Sequence, residues 1–339
     1  MNKLVWIGHY IEAKDAFRFN NFTSPSRLIN KMFIEVNKRM PPYIFSQLEN
    51  SARAIKIYGV IAPLLPSEIA SASKARQFDL IGRAIDIANR VGAGQIGLAA
   101  LFASLWEDGA GIKELTDAHI TTGKNLIAAL VLDYISKGIG LLGRDLKDLT
   151  IGIIGYRNRI AKIFVTHYLD KVKMILADDG GEKVSFNDIF SKSDAIIVTT
   201  MGVGLADYID KIKPGTIVCD IVVPYHLTTE IRKRRKDVFA FEGVWSRYKD
   251  LDTYTGKDIK RLFPGNVIPA CMGEPIILAQ EKRLGNFSLG GNINHDNALL
   301  MRSMIAGNGF DFFGFKQGGG VYSQGDIDKM KVSYSLQRR

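Results

Sequence analysis

Residues 150–161 read TIGIIGYRNRIA, an apolar, β-branched run that closes on Gly155 and passes through a polar turn into a helical pattern. Four runs of the same kind follow at helix-length intervals: VKMILA (172–177), AIIVTT (195–200), TIVCDIVV (216–223) and VFAF (238–241). Strands that are apolar on both sides are strands covered on both sides, and with helices between them they specify a parallel sheet. The fold class that follows is α/β. A Rossmann-like doubly wound parallel sheet is expected over 146–264, with an N-terminal α/β domain over 1–145 and a C-terminal helical segment over 265–339.

A dinucleotide in such a sheet belongs at the first strand-to-helix turn, where glycine lets the backbone approach a pyrophosphate and the helix N-terminus attracts its charge. Gly155, Tyr156, Arg157, Asn158, Arg159, Ile160 and Ala161 form that turn, and only the first glycine of a GxxGxxG pattern is present. Asn158 at the second position tolerates positive φ, and Ala161 at the third permits close helix packing. Gly155, Arg157, Asn158, Arg159, Ile160, Ala161 and Thr200, which closes the third run, are the candidate cofactor residues; a decayed site is the competing reading. Asp178 ends the second run where an acid bonds the ribose hydroxyl of NAD, yet Arg157 and Arg159 suit a 2′-phosphate. NADH and NADPH both remain open, and Asp178-Asp179 also reads as a turn opening into Gly180-Gly181.

Outward from this core the pattern is looser. Leu4–Ile7 and Ile55–Ile61 read as strands among loops, and Phe78, Ile81, Ile85 and Ala88 fall at helical spacing up to the stop at VGAG (91–94). Leu126, Leu130, Val131 and Tyr134 predict a helix from about Lys124 to Ile139, and Gly138, Gly140 and Gly143 put a boundary near 145. A helix from about Cys271 to Leu284 precedes a tail whose NFSLGGN (286–292) and AGNGFDFFGF (306–315) are too aromatic for disorder.

Hydrophobic residues make up 46% and charged residues 24% of 339, which excludes disorder, collagen and coiled coil. The apolar stretch Ile96 to Trp106 is shorter than a bilayer span, so no transmembrane segment and a cytoplasmic location are expected. The net charge of +10 favours an acidic partner or an anionic substrate carrier. Its densest run, Arg232 to Lys236, is either a solvated helix face or a docking patch, and no nucleic-acid motif accompanies it.

Cys219 lies inside an apolar run and reads as a core thiol. Cys271, in NVIPACMGEPIILA, stands at a helix start with Pro275 as an early-helix residue, where the helix dipole would lower the thiol pKa; packing is the alternative. His9, His119, His167, His226 and His295 show no metal-ligand spacing, so no metal is expected. His119 precedes the polar turn Thr121-Thr122-Gly123, which is a helix N-cap or part of a site, and His119 and His295 are general-acid candidates by residue type.

Taken in order, IGH (7–9), LLPSEI (64–69), VGAGQIGLAALFAS (91–104), TTGKN (121–125), the Rossmann segment, ACMGEP (270–275) and NFSLGGN resemble the long-chain acyl-[acyl-carrier-protein] reductases. The resemblance implies that Cys271 takes a fatty acyl group as a thioester, that Gly155 to Ala161 bind NADPH, and that Thr121, Thr122 and Gly123 lie near the acyl or nicotinamide site. It implies a fatty aldehyde product, an acyl carrier protein or acyl-CoA as donor, and a partner enzyme that takes the aldehyde onward. Asp178 and the sparse glycine depart from the family pattern, as does Lys124 directly after TTG. Two other readings stay open: a small-substrate, shikimate-dehydrogenase-like NAD(P) enzyme with a structural Cys271, and a non-catalytic relative. An active site is expected at the carboxyl ends of the parallel strands.

Overall fold

The computed structural model describes residues 1–339 except 21, 23, 179–183, 201–203, 224–225, 258–262, 284, 319 and 337–339. The chain divides into two compact units, each discontinuous in sequence. The first comprises Met1–Lys124, Arg247–Asn292 and Met304–Asp311; the second comprises Asn125–Ser246, Ile293–Ser303 and Phe312–Arg339. This differs from the three consecutive segments 1–145, 146–264 and 265–339. The reason is strand recruitment: residues 255–257 join a sheet of the first unit and residues 316–317 join the sheet of the second.

In the first unit, β1 (Asn2–His9), β2 (Tyr43–Asn50), β3 (Ile55–Ala62), β4 (Gln95–Leu98), β5 (His119–Thr121) and the later-numbered β12 (Thr255–Lys257) form one sheet in the order β12-β2-β3-β1-β4-β5. β3, β1, β4 and β5 run parallel, while β2 is antiparallel to β3 and β12 antiparallel to β2. The strand order reverses at β1 and β4, which makes their carboxyl ends a topological switch point. Val5, Ile7, Val60, Ile96, Leu98 and Ile120 pack against Ile81, Ala84, Ile85 and Ala88 of the helix Lys74–Val91. Gly92, at φ +70°, ends that helix as expected from VGAG. Phe78 departs from the expected buried stripe: it is 39% exposed and rests beside Trp106.

In the second unit, β6 (Thr150–Ile154), β7 (Met174–Ala177), β8 (Ala195–Val198), β9 (Ile217–Asp220) and β10 (Phe239–Glu242) are the five expected runs, parallel in the order β10-β9-β8-β6-β7. β15 (Lys316–Gln317) and β16 (Gly320–Val321) extend it antiparallel beside β10. The α/β class with a doubly wound parallel sheet therefore holds. The helix Lys124–Leu141 places Tyr134 against Phe241, Phe312 and Phe315, which gives the aromatic tail its packing partner. Cys219 is fully buried in β9, and burial pushes its thiol well above the usual range, so it is a core thiol.

A small sheet of β11 (Trp245–Tyr248), β13 (Val267–Pro269) and β14 (Phe310–Asp311) brings the chain to the helix Ala270–Gln280. No described helix is long and apolar enough to cross a membrane.

Candidate functional site

Cys271 is the second residue of the helix Ala270–Gln280, which packs on β4 of the first unit. The fit is set by glycine: a Cβ on Gly97 would stand 2.9 Å from Pro275 Cγ and 3.0 Å from the Cys271 carbonyl oxygen. Pro275 is not an early-helix residue but sits mid-helix, where its missing N–H leaves that carbonyl without its usual in-helix donor. On the other side, Gly123 at φ +73° is pressed so closely that its Cβ would lie 2.4 Å from Cys271 Cα.

The Thr121-Thr122-Gly123 segment is thus brought to the cysteine. Thr121 donates its hydroxyl to the fully buried Glu274 carboxylate, three residues after Cys271. Thr122 donates both its N–H and its hydroxyl to the Ser288 carbonyl, at 2.9 and 2.8 Å, and Asn286 Oδ1 accepts the Ile120 N–H at 2.7 Å. NFSLGGN is therefore a strap on the TTG turn. Lys124, the residue foreign to the family motif, pairs with Asp108.

The Trp6 indole and the backbone of Ala100, Cys271 and Met272 each pull the Cys271 thiol's pKa down against burial. The Trp6 Nε1 is buried and makes no conventional hydrogen bond. Trp6 reaches this place because its ring runs over Gly8, where a Cβ would lie 2.9 Å from Trp6 Cη2. Ala100 is held at φ +50°, a costly angle for a residue with a Cβ. His9 supports this turn: Nε2 accepts the Leu101 N–H at 3.0 Å and Nδ1 lies 2.7 Å from the Tyr10 carbonyl, so the proton is on Nδ1. Burial lowers the His9 pKa to about 4, which keeps the ring neutral. Trp6 and His9 carry no local signal of this role, because what they meet lies near residues 101 and 271; Gly8 between them, under the Trp6 ring, is the one trace.

The expected depression of the Cys271 pKa is corrected by the structure. Burial raises the thiol to about 11, outweighing the opposing pull of Trp6 and the nearby backbone. At neutral pH the group is a thiol.

In the second unit, Gly155 follows β6 at φ +94°, and a Cβ there would lie 2.6 Å from Thr199 Oγ1 and 2.8 Å from Thr200 Cγ2. Asn158 turns its side chain to the Thr199 carbonyl at 3.1 Å, so no side chain caps the helix Arg159–Tyr168. Arg157 and Arg159 are exposed, while Ile160 and Ala161 face the core. The strand order reverses between β6 and β8, and Gly155 and Thr200 lie at their carboxyl ends. Asp178 follows β7 and donates its N–H to Ile153 at 3.0 Å; Asp179, Gly180 and Gly181 fall outside the described residues.

His119 opens β5 on the amino-end side of Thr121, and His295 belongs to the second unit, 3.2 Å from His167. The basic run is knitted into its own fold: Arg234 pairs with Asp210, Arg235 with Asp237 and the carbonyls of Ile209 and Ile212, and Lys233 with Glu230.

No family model matches the sequence. A curated relative from Serratia sp. (strain ATCC 39006), described as aminotransferase PigE, is 23% identical over 263 residues, covering 68% of this chain and 31% of that protein. The chain thus spans about a third of that relative's length. Among solved structures, shikimate dehydrogenase from Aquifex aeolicus matches at 12% identity and TM-score 0.36, covering 72% of this chain and 86% of that one. Shikimate dehydrogenase 1 from Peptoclostridium difficile matches at 10% and 0.35 with 99% of each chain covered, and a formate dehydrogenase from Staphylococcus aureus at 12% and 0.33, covering 99% and 95%. Likeness of this degree assigns no activity; the fold rests on the strand order itself.

The resemblance to the acyl-[acyl-carrier-protein] reductases is overturned, since the curated relative that matches is described as an aminotransferase. The physical reason is that the short motifs answer local packing needs. Gly123 and Gly97 yield to the Cys271 helix, and Ser288 anchors the TTG turn. Such needs recur wherever a helix caps a parallel sheet.

Proposed function

We propose that this chain is a nicotinamide-dependent oxidoreductase of the small-substrate dehydrogenase type, with the dinucleotide on the β6 turn of the second unit. The carrying observation is Gly155, held at φ +94° at a strand-order switch with no room for a Cβ, opening the turn into the helix Arg159–Tyr168, which no side chain caps. These residues fit the group. The Gly155 backbone admits a pyrophosphate, the first turn of Arg159–Tyr168 supplies N–H donors, and Asp178 accepts from a ribose hydroxyl. Arg157 and Arg159 offer a counter-charge to a 2′-phosphate, so NADH and NADPH are both candidates. When bound, the nicotinamide supplies hydride to a carbonyl carbon or accepts it from an alcohol. The small-substrate reading takes precedence because a thiol at about 11 is a poor resting nucleophile. Titration with NADH and NADPH by fluorescence tests it: saturable binding lost in Gly155→Ala supports the reading, and binding of neither cofactor overturns it.

One observation favours a second reading, acyl-thioester reduction through Cys271: the residue stands in the first turn of the helix Ala270–Gln280, whose free N–H groups would favour an oxyanion or thiolate there. The thiolate would attack the acyl carbonyl of an acyl carrier protein or acyl-CoA donor, the donor thiol would leave, and a hydride from NADH or NADPH with one proton would release an aldehyde and restore the thiol. Intact mass spectrometry after mixing with either donor decides it, since an acyl adduct absent from Cys271→Ala supports this reading and no adduct rejects it.

A further inference from the structure

The helix Arg27–Asn37 is amphipathic with its faces reversed. At ~100° per residue, Phe33, Asn30 and Asn37 share one side, and Leu28, Met32, Val36 and Ile29 the other. The side that holds the helix to its unit is the partly polar one. Phe33 stacks on Phe22 with centroids 4.0 Å apart and on Phe17 at 5.7 Å. Buried Asn37 accepts from the Tyr10 hydroxyl at 3.1 Å and from Asn20 Nδ2 at 3.0 Å. The aliphatic side is left outside: Leu28 is 67%, Ile29 49%, Met32 59% and Val36 60% exposed. Met40 and Ile44, both 41% exposed, add to the exposed apolar residues of this region.

We propose that this face docks on an anionic phospholipid surface. Charge selects this occupant. Arg27 and Lys31 lie on the flank next to Leu28 together with the helix's one acid, Glu35, which is paired with Lys38, and exposed Arg39 follows the helix end. Lys38 also pairs with Glu68 at 2.8 Å. Among the described ion pairs none engages Arg27, Lys31 or Arg39, so the face is apolar with a cationic rim. A second copy of the chain would set like rims against each other, whereas an anionic headgroup layer neutralises them and admits the aliphatic side chains. The net charge of +10 adds long-range attraction.

The test is co-sedimentation of the full chain with sucrose-loaded vesicles of phosphatidylcholine alone or mixed with phosphatidylglycerol, alongside Leu28→Ser/Met32→Ser/Val36→Ser and Lys31→Glu variants. Thermal melts check that the variants fold. The chain is expected to pellet with the anionic vesicles, less at high salt, with affinity reduced about tenfold or more in the triple variant and less in Lys31→Glu. No pelleting with either vesicle overturns the proposal, as does unchanged binding by the triple variant. So does a concentration-dependent dimer in light scattering that the triple variant abolishes, which would make the occupant a second copy.

Discussion

His9 Nε2 accepts the backbone N–H of Leu101 at 3.0 Å, so the last residue of β1 holds the turn that carries Ala100 at φ +50°. Replacing His9 by Ala leaves a buried N–H without an acceptor and a void beside Phe102, whose ring meets His9 edge-on at 5.3 Å. The expected loss is about 2–4 kcal/mol in urea denaturation.

Two buried groups give stability opposing pH slopes. Burial lowers His9 from 6.5 to about 4, so the unfolded chain takes up a proton first, and about 3 kcal/mol is lost as pH falls from 6.5 to 4. Burial raises Asp220 from 3.8 to about 7, so about 4 kcal/mol present in acid is lost as pH rises from 3.8 to 7. His9→Gln is expected to gain on the wild type as pH falls through its window, and Asp220→Asn as pH rises through its own. Denaturation midpoints at closely spaced pH values check both, and parallel curves for wild type and variant would refute the assignment.

Gly155→Ala forces a Cβ to within 2.6 Å of Thr199 Oγ1 at φ +94°. A loss of about 1–3 kcal/mol in thermal stability is expected. Dinucleotide affinity should fall by more than the stability change alone explains, because the backbone must also move from the pyrophosphate; fluorescence titration at a temperature where the variant is folded separates the two.

The five runs of the second unit were legible because each is a buried strand bounded by helices, and β6 carried its glycine turn with it. The sheet of the first unit was only half legible. β4 is four residues with a central glycine and β5 is three, too short for any period to register. Pairing of residues 255–257 with 47–49 has no local sequence signal at all. The helix Arg27–Asn37 shows a helical period, but periodicity says which residues share a face and not which face is inward. At the site, Cys271 and Thr121-Thr122-Gly123 were visible as motifs; Trp6 and His9 were not, since what they do is fixed by tertiary contact.

Alkylation of Cys271 by iodoacetamide should accelerate about tenfold per pH unit until near 11, the value to which burial raises the thiol. Trp6→Phe keeps a ring over Gly8 but removes the indole donor, so the thiolate is harder to form and the rate at pH 9 is expected to drop by about 3- to 10-fold. A variant rate equal to wild type would show that the indole does not act on the sulfur.

Thr121→Val removes the hydroxyl that the buried Glu274 carboxylate accepts. About 1–3 kcal/mol of stability should be lost, and Thr121→Ser should restore most of it. Equal losses for both would assign the effect to packing of the Thr121 methyl group.

β2 lies inside the first unit's sheet only because Thr255–Lys257 pairs along its outer side, at Gln47–Glu49. On the ribosome those three residues emerge long after β2 does. Until then the nascent chain carries an unpaired strand edge, the kind of surface to which another unfinished chain can add. Synthesis of this protein therefore has a vulnerable interval, and slowing translation before residue 255 should lengthen it and raise the share of chains that need a chaperone to stay unaggregated.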